Sequence, residues 1–223
     1  MITLYTTERA YSYGVLRSTN ASKVKVVLEE KGLDYSIVNL PPGDLWKKPP
    51  DMLRKHPLGK VPYLDDGDYT IYDSTVINEY LNEAYPDPGL MPTVPVLRAQ
   101  VRMLENFADE AILTGYLPLI WLPWWTSEEK RDQKSMAHGR DELRSKVLPY
   151  IEDVLKATHD QTDGEAYLCG DFSLADPPYM AMAMVFAVDG FDLSEFPRVH
   201  AYLERLRARP SYRAISPATP LPD

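Results

Sequence analysis

The chain has 223 residues, 44% hydrophobic and 26% charged, with a formal net charge of −9 and one cysteine, Cys169. That length holds two domains, and the negative balance argues against nucleic-acid partners, because the basic residues are scattered among acids, as in Glu128-Glu129-Lys130-Arg131-Asp132. No run of about 18 apolar residues exists to span a membrane, and Met1–Thr6 lacks the pattern of a secretion signal. A lone cysteine forms no internal disulfide, so a cytoplasmic location is expected.

Met1–Thr6 alternates apolar and polar residues and reads as a strand. Tyr11-Ser12-Tyr13-Gly14 reads as a loop. Asn20–Lys31 carries Ala21, Val24, Val27 and Leu28 at helical spacing, with Gly32 placed to end the helix. Tyr35–Leu40 is a second strand. Two proline pairs, Pro41-Pro42 and Pro49-Pro50, bound a loop with a short helix beyond. Val61–Leu64 and Tyr69–Tyr72 are short strands joined by Asp65-Asp66-Gly67-Asp68, which is hairpin chemistry. Ser74–Ala84 is an amphipathic helix, with Val76, Ile77, Tyr80, Leu81 and Ala84 in its stripe.

Composition then changes. Prolines crowd 85–94, a linker, and beyond Val96 only helical patterns follow, to about Arg209. Ser216–Asp223 reads as an irregular tail. The order predicts an α/β domain over 1–84, βαβ followed by ββα as in thioredoxin-like domains, and an all-α bundle over 95–223.

Three local patterns point to chemistry. Arg17-Ser18-Thr19-Asn20 precedes the first helix, where unpaired N–H groups and a partial positive charge favour anions. A hydroxyl there donates to a thiolate, although Ser18, Thr19 and Asn20 are equally good helix caps. His56-Pro57-Leu58-Gly59-Lys60-Val61-Pro62-Tyr63-Leu64 holds a proline at a strand edge. Asp73-Ser74 opens the amphipathic helix and suits either a cap or an anion seat. In the helical part, Ser173-Leu174-Ala175-Asp176 reads as a capping box of structural purpose.

These patterns resemble the soluble glutathione S-transferases. Ser18-Thr19-Asn20 followed by Val24–Gly32 is similar to the phi class, and Arg17-Ser18-Thr19 to the zeta class. The second motif resembles the family's Asn-Pro-x-Gly-x-Val-Pro-x-Leu, with His56 in place of asparagine, and the third resembles Glu-Ser or Gln-Ser with a shorter Asp73. Gly170 with the capping box resembles the family's Gly-x-x-Ser-x-Ala-Asp folding motif. The resemblance implies a serine that activates glutathione, the role falling on Ser18 with Thr19, Asn20 and Ser22 open, and Tyr11 or Tyr13 as substitutes. It implies a cis Pro62, with Val61's main chain pairing to glutathione, Asp73 and Ser74 at its γ-glutamyl end, and Lys47, Lys48 or Lys60 at its glycyl carboxylate. An electrophile pocket between the domains is expected to use Tyr11, Tyr13, Tyr116, Trp121, Trp124 and Trp125, although a hydrophobic core accounts equally well for the tryptophans. The resemblance further implies a homodimer with glutathione as co-substrate. No His/Cys ligand cluster is seen, and the chemistry needs no metal. A glutathione-dependent isomerase, dehalogenase or aryl-ether lyase, and a non-catalytic interaction module, stand as alternatives.

Overall fold

A computed structural model describes residues 1–12, 14–162 and 166–219. The chain forms two compact units: one gathers Met1–Gly89 and the segment that starts at Pro210, the other is Leu90–Arg209. The division falls inside the stretch 85–94. The C-terminal stretch was expected to finish the helical domain, but it joins the first unit, because backbone and side-chain hydrogen bonds tie it to residues 15 and 17.

In the first unit, β1 (Ile2–Thr6), β4 (Tyr35–Asn39), β5 (Tyr63–Asp66) and β6 (Tyr69–Tyr72) form one sheet in the order β4-β1-β5-β6. β1 pairs parallel to β4, and the β1–β5 and β5–β6 pairs are antiparallel. Ile2, Leu4 and Thr6 are buried along β1, as strand periodicity requires. β5 and β6 meet through the two residues Gly67-Asp68, with Gly67 at φ 60°.

The sequence reading missed a second ribbon. β2 (Glu8–Tyr11) and β3 (Gly14–Arg17) pair antiparallel, with Glu8 opposite Arg17, so Tyr11 and Gly14 end strands instead of forming a plain loop.

α1 (Thr19–Glu30) starts one residue before the predicted Asn20. Ser18 caps it, and Gly32 follows the last turn in the left-handed region. Leu33 N–H reaches Leu28 C=O and Gly32 N–H reaches Glu29 C=O, a Schellman closure. α2 (Asp44–Lys47) and α3 (Pro50–Lys55) are short, and α4 (Ser74–Ala84) has the predicted bounds.

The second unit contains α5 (Pro95–Phe107), α6 (Leu117–Trp121), α7 (Gln133–Glu142), α8 (Leu148–Thr162), α9 (Pro177–Asp189) and α10 (Pro197–Ala208). Two stretches between them, Ala108–Tyr116 and Leu143–Val147, are π-helical: Leu117 N–H bonds Ile112 C=O and Leu148 N–H bonds Leu143 C=O, each five residues back. Every residue of α9 from Pro177 to Phe186 is buried, so Met180, Met182 and Met184 are core. Asp176 accepts from Ser173 N–H, as a capping box requires, while the Ser173 hydroxyl accepts from Ala175 N–H and the helix begins at Pro177. Among the described residues, no helix is long and apolar enough to cross a membrane.

Candidate active site and family membership

Ser18 sits where β3 turns into α1. Its N–H donates to Thr7 C=O (3.1 Å), its C=O accepts from Ser22 N–H (2.8 Å), and its Oγ accepts from Ala21 N–H (3.3 Å). The cap uses only an acceptor lone pair, so the hydroxyl keeps its proton to give to an anion. Thr19 and Asn20 are half-buried beside it. Ser22 has no exposed surface, which removes it from the choice of hydroxyls. Tyr11 is half-buried with the Arg9 guanidinium 5.0 Å from its ring, and Tyr13 lies outside the described residues.

The Val61–Pro62 bond is cis. Strand pairing of β5 with β1 begins at Tyr63, so Val61 stands outside that ladder. The turn ahead of it depends on Gly59 at φ 56°, against which the Lys48 stem packs: a Cβ at 59 would come within 2.9 Å of Lys48 Cγ. His56 is buried, accepts from Leu58 N–H through Nδ1 and leans on the Tyr72 ring at 4.9 Å. Burial lowers its pKa, Lys60 and Lys48 lower it further, and Asp73 opposes them. The fold therefore gathers Lys48, Lys60 and Asp73 around His56, whose own contacts are structural. Lys47 is exposed at the end of α2.

Asp73 opens α4. Its Oδ1 accepts from Thr75 N–H (3.0 Å) and Val76 N–H (3.3 Å), and it holds φ 73° and ψ 122°, a region costly for a non-glycine residue. Ser74, next to it, is buried. The helix starts at Ser18 and Asp73 are tied together by a residue the sequence reading left out: Lys23 of α1, fully buried, donates from Nζ to Thr75 Oγ1 of α4 (3.0 Å).

A second omission lies below Ser18. Glu8, Arg17 and Lys25 are all buried, with Arg17 Nε 3.3 Å and Lys25 Nζ 2.9 Å from the Glu8 carboxylate. Burial lowers the pKa of both cations, and Glu8 counteracts it. The available signal was a pair of lysines, Lys23 and Lys25, set inside an apolar run.

In the second unit, Trp121 is 4% exposed and fills the core, which leaves it little surface to offer a ligand and corrects its placement in a pocket. Tyr116 is half-buried with Lys146 Nζ 6.0 Å from its ring. Trp124 stacks on the Arg131 guanidinium at 4.0 Å, and Trp125 is half-buried beside it.

Residues 13–89 match the family described as the glutathione S-transferase N-terminal domain. Glutathione S-transferase 1 of Dianthus caryophyllus is 32% identical over 222 residues, 95% of each chain. The chain belongs to the glutathione S-transferase family. A crystal structure of a glutathione S-transferase from Rhodospirillum rubrum F11 matches with a TM-score of 0.76 and 27% identity, covering 96% of this chain and 91% of that one. The stringent starvation protein A homolog of Haemophilus ducreyi is 30% identical over 154 residues, 69% of this chain and only 64% of that protein. The transferase fold thus carries the Ser18, Val61–Pro62 and Asp73 segments on one unit, at two helix starts and one cis turn.

Proposed function

We propose that this glutathione S-transferase relative is an enzyme that binds glutathione in its first unit and transfers the sulfur to a hydrophobic electrophile. The observation that carries the reading is Ser18, a half-buried hydroxyl at the start of a 12-residue helix whose cap leaves its proton to donate. A thiol titrates near 8.5 when free, and a helix start plus one donor lowers that value. A fall of about two units is worth about 2.7 kcal/mol and makes the thiolate abundant at neutral pH. The thiol proton leaves to solvent. The sulfur then bonds the electrophilic carbon, and with a chloronitrobenzene the carbon–chlorine bond breaks and chloride departs.

In this reading Val61 pairs with the cysteinyl backbone as a short added strand. Asp73 faces the γ-glutamyl ammonium, Ser74 and the α4 start face its carboxylate, and Lys47 or Lys48 holds the glycyl end with Lys60 assisting. Thr19 and Asn20 flank the sulfur. Tyr116, Trp124 and Trp125 of the second unit are the residues offered to the electrophile, and the working form is a cytoplasmic homodimer.

Retention on immobilised glutathione followed by turnover of a chloronitrobenzene tests the reading. Ser18→Ala should lower turnover on the order of a hundredfold, the effect of losing one preorganised donor, while leaving the Michaelis constant for glutathione within a few-fold. An unchanged rate moves the role away from Ser18. The similarity to stringent starvation protein A homologues supports a second reading, a non-catalytic interaction module. Neither retention nor turnover is the result expected of it.

A further inference from the structure

The last described residues of the chain approach the turn that carries Ser18. Val15 N–H donates to Pro217 C=O at 2.9 Å, so the segment pairs with β3. Ser216 C=O accepts from Thr219 N–H (3.0 Å), closing a tight turn that aims two carbonyls the same way. Both meet one side chain: Arg17 donates from Nη1 to Ser216 C=O (2.8 Å) and from Nη2 to Thr219 C=O (2.7 Å). Its Nε lies against Glu8, and the residue is 1% exposed.

This is an elaborate seat for one cation. Guanidinium fits it because its fork meets several acceptors at fixed angles, which an ammonium does not. The approach is close enough that Gly14, at φ 132°, has no room for a side chain: a Cβ there would lie 2.6 Å from Pro217 C=O. Arg17 is covalently joined to Ser18, and its register partner Glu8 follows Thr7, which holds Ser18 N–H. A displacement of the Arg17 main chain therefore moves the Ser18 peptide, and the bonds on the Arg17 guanidinium resist that displacement.

We infer that Arg17 is a positioning residue for the Ser18 hydroxyl and that the 216–219 turn is the strap that fixes it. The inference rests on the proposed role of Ser18 in holding the glutathione thiolate. The strap makes the hydroxyl's direction a property of the folded C-terminal segment, in addition to the helix cap.

The test measures turnover, the Michaelis constant for glutathione and the pH midpoint of bound-thiol ionisation, read by ultraviolet thiolate absorbance, in purified full-length protein. Arg17→Met removes the fork and leaves Glu8 paired with Lys25. Gly14→Ala presses on Pro217 without touching Arg17 or Ser18, and decides the matter if Arg17→Met does not fold. Each should lower turnover about ten- to a hundredfold, the scale of a reacting group displaced by about 1 Å. Each should raise the thiol midpoint by about half a unit or more, with the Michaelis constant within about threefold. Arg17→Lys should recover part of both. Ser211→Ala, which removes only the Ser211–Glu30 hydrogen bond and leaves the 216–219 turn on Arg17 intact, should leave the midpoint in place. Unchanged turnover and midpoint in Arg17→Met and Gly14→Ala, beside an impaired Ser18→Ala, would overturn the strap alone. An unimpaired Ser18→Ala would remove the proposed thiolate role and the strap with it.

Discussion

Asp176 offers a test of how burial and hydrogen bonding compete in the second unit. Its carboxylate has no exposure and faces four donors: Leu168 N–H and Tyr202 Oη at one oxygen, Ser173 N–H and Ser173 Oγ at the other. Burial outweighs them and lifts the carboxyl from 3.8 to about 6. A carboxyl raised in the folded state favours the protonated form on folding. Its contribution is full below the unfolded value and is lost as pH rises through the folded one. The gap, 6 less 3.8 or about 2.2 units, corresponds to about 3 kcal/mol. Asp176→Asn has the same shape and no titration. Urea unfolding of both proteins at a series of pH values isolates the term. The wild-type advantage over the variant should shrink by about 3 kcal/mol between about pH 3 and pH 7, then level off. A difference that is flat with pH, or that grows, would refute the reasoning, and growth would mean that the four donors win.

Glu8→Gln leaves Arg17 and Lys25 buried together with no anion between them, and should cost about 3–5 kcal/mol in urea unfolding. Asp73→Ala removes the acceptor of Thr75 and Val76 N–H and should cost about 1 kcal/mol of stability; calorimetric titration should also show weaker glutathione binding. Burial pushes the Cys169 thiol up to about 12, so the native protein should resist iodoacetamide at neutral pH and react within minutes once unfolded in urea. Fast native labelling would contradict that burial.

Local chemistry made much of the first unit legible. Gly67 supplies the turn between β5 and β6, the stripe through Ile77 and Leu81 sets α4, and Ile2, Leu4 and Thr6 alternate along β1. The segments around Ser18, Pro62 and Asp73 were readable because each is punctuated by a cap or a proline. What escaped was long-range. Lys23 and Lys25 look like solvent positions in a helical pattern, yet Lys23 reaches Thr75, 52 positions away, and Lys25 reaches Glu8, 17 away. The β2–β3 ribbon pairs Glu8 with Arg17 at its open end, nine positions apart in the chain. The destination of the last segment depends on Arg17, 199 positions from Ser216, a separation that no local pattern encodes. Trp121 shows the opposite error: aromatic density reads alike in a core and in a pocket, and burial decides.

The first unit is written in two pieces, with 120 residues of the second, Leu90–Arg209, between them. At about 5–20 residues per second, translation needs about 6–24 s to cross that interval. Throughout it Arg17 has Glu8 but neither of its carbonyls. The nascent domain thus waits, incomplete, while the helices that follow it are made, and it closes only when the segment from Pro210 onward has been added.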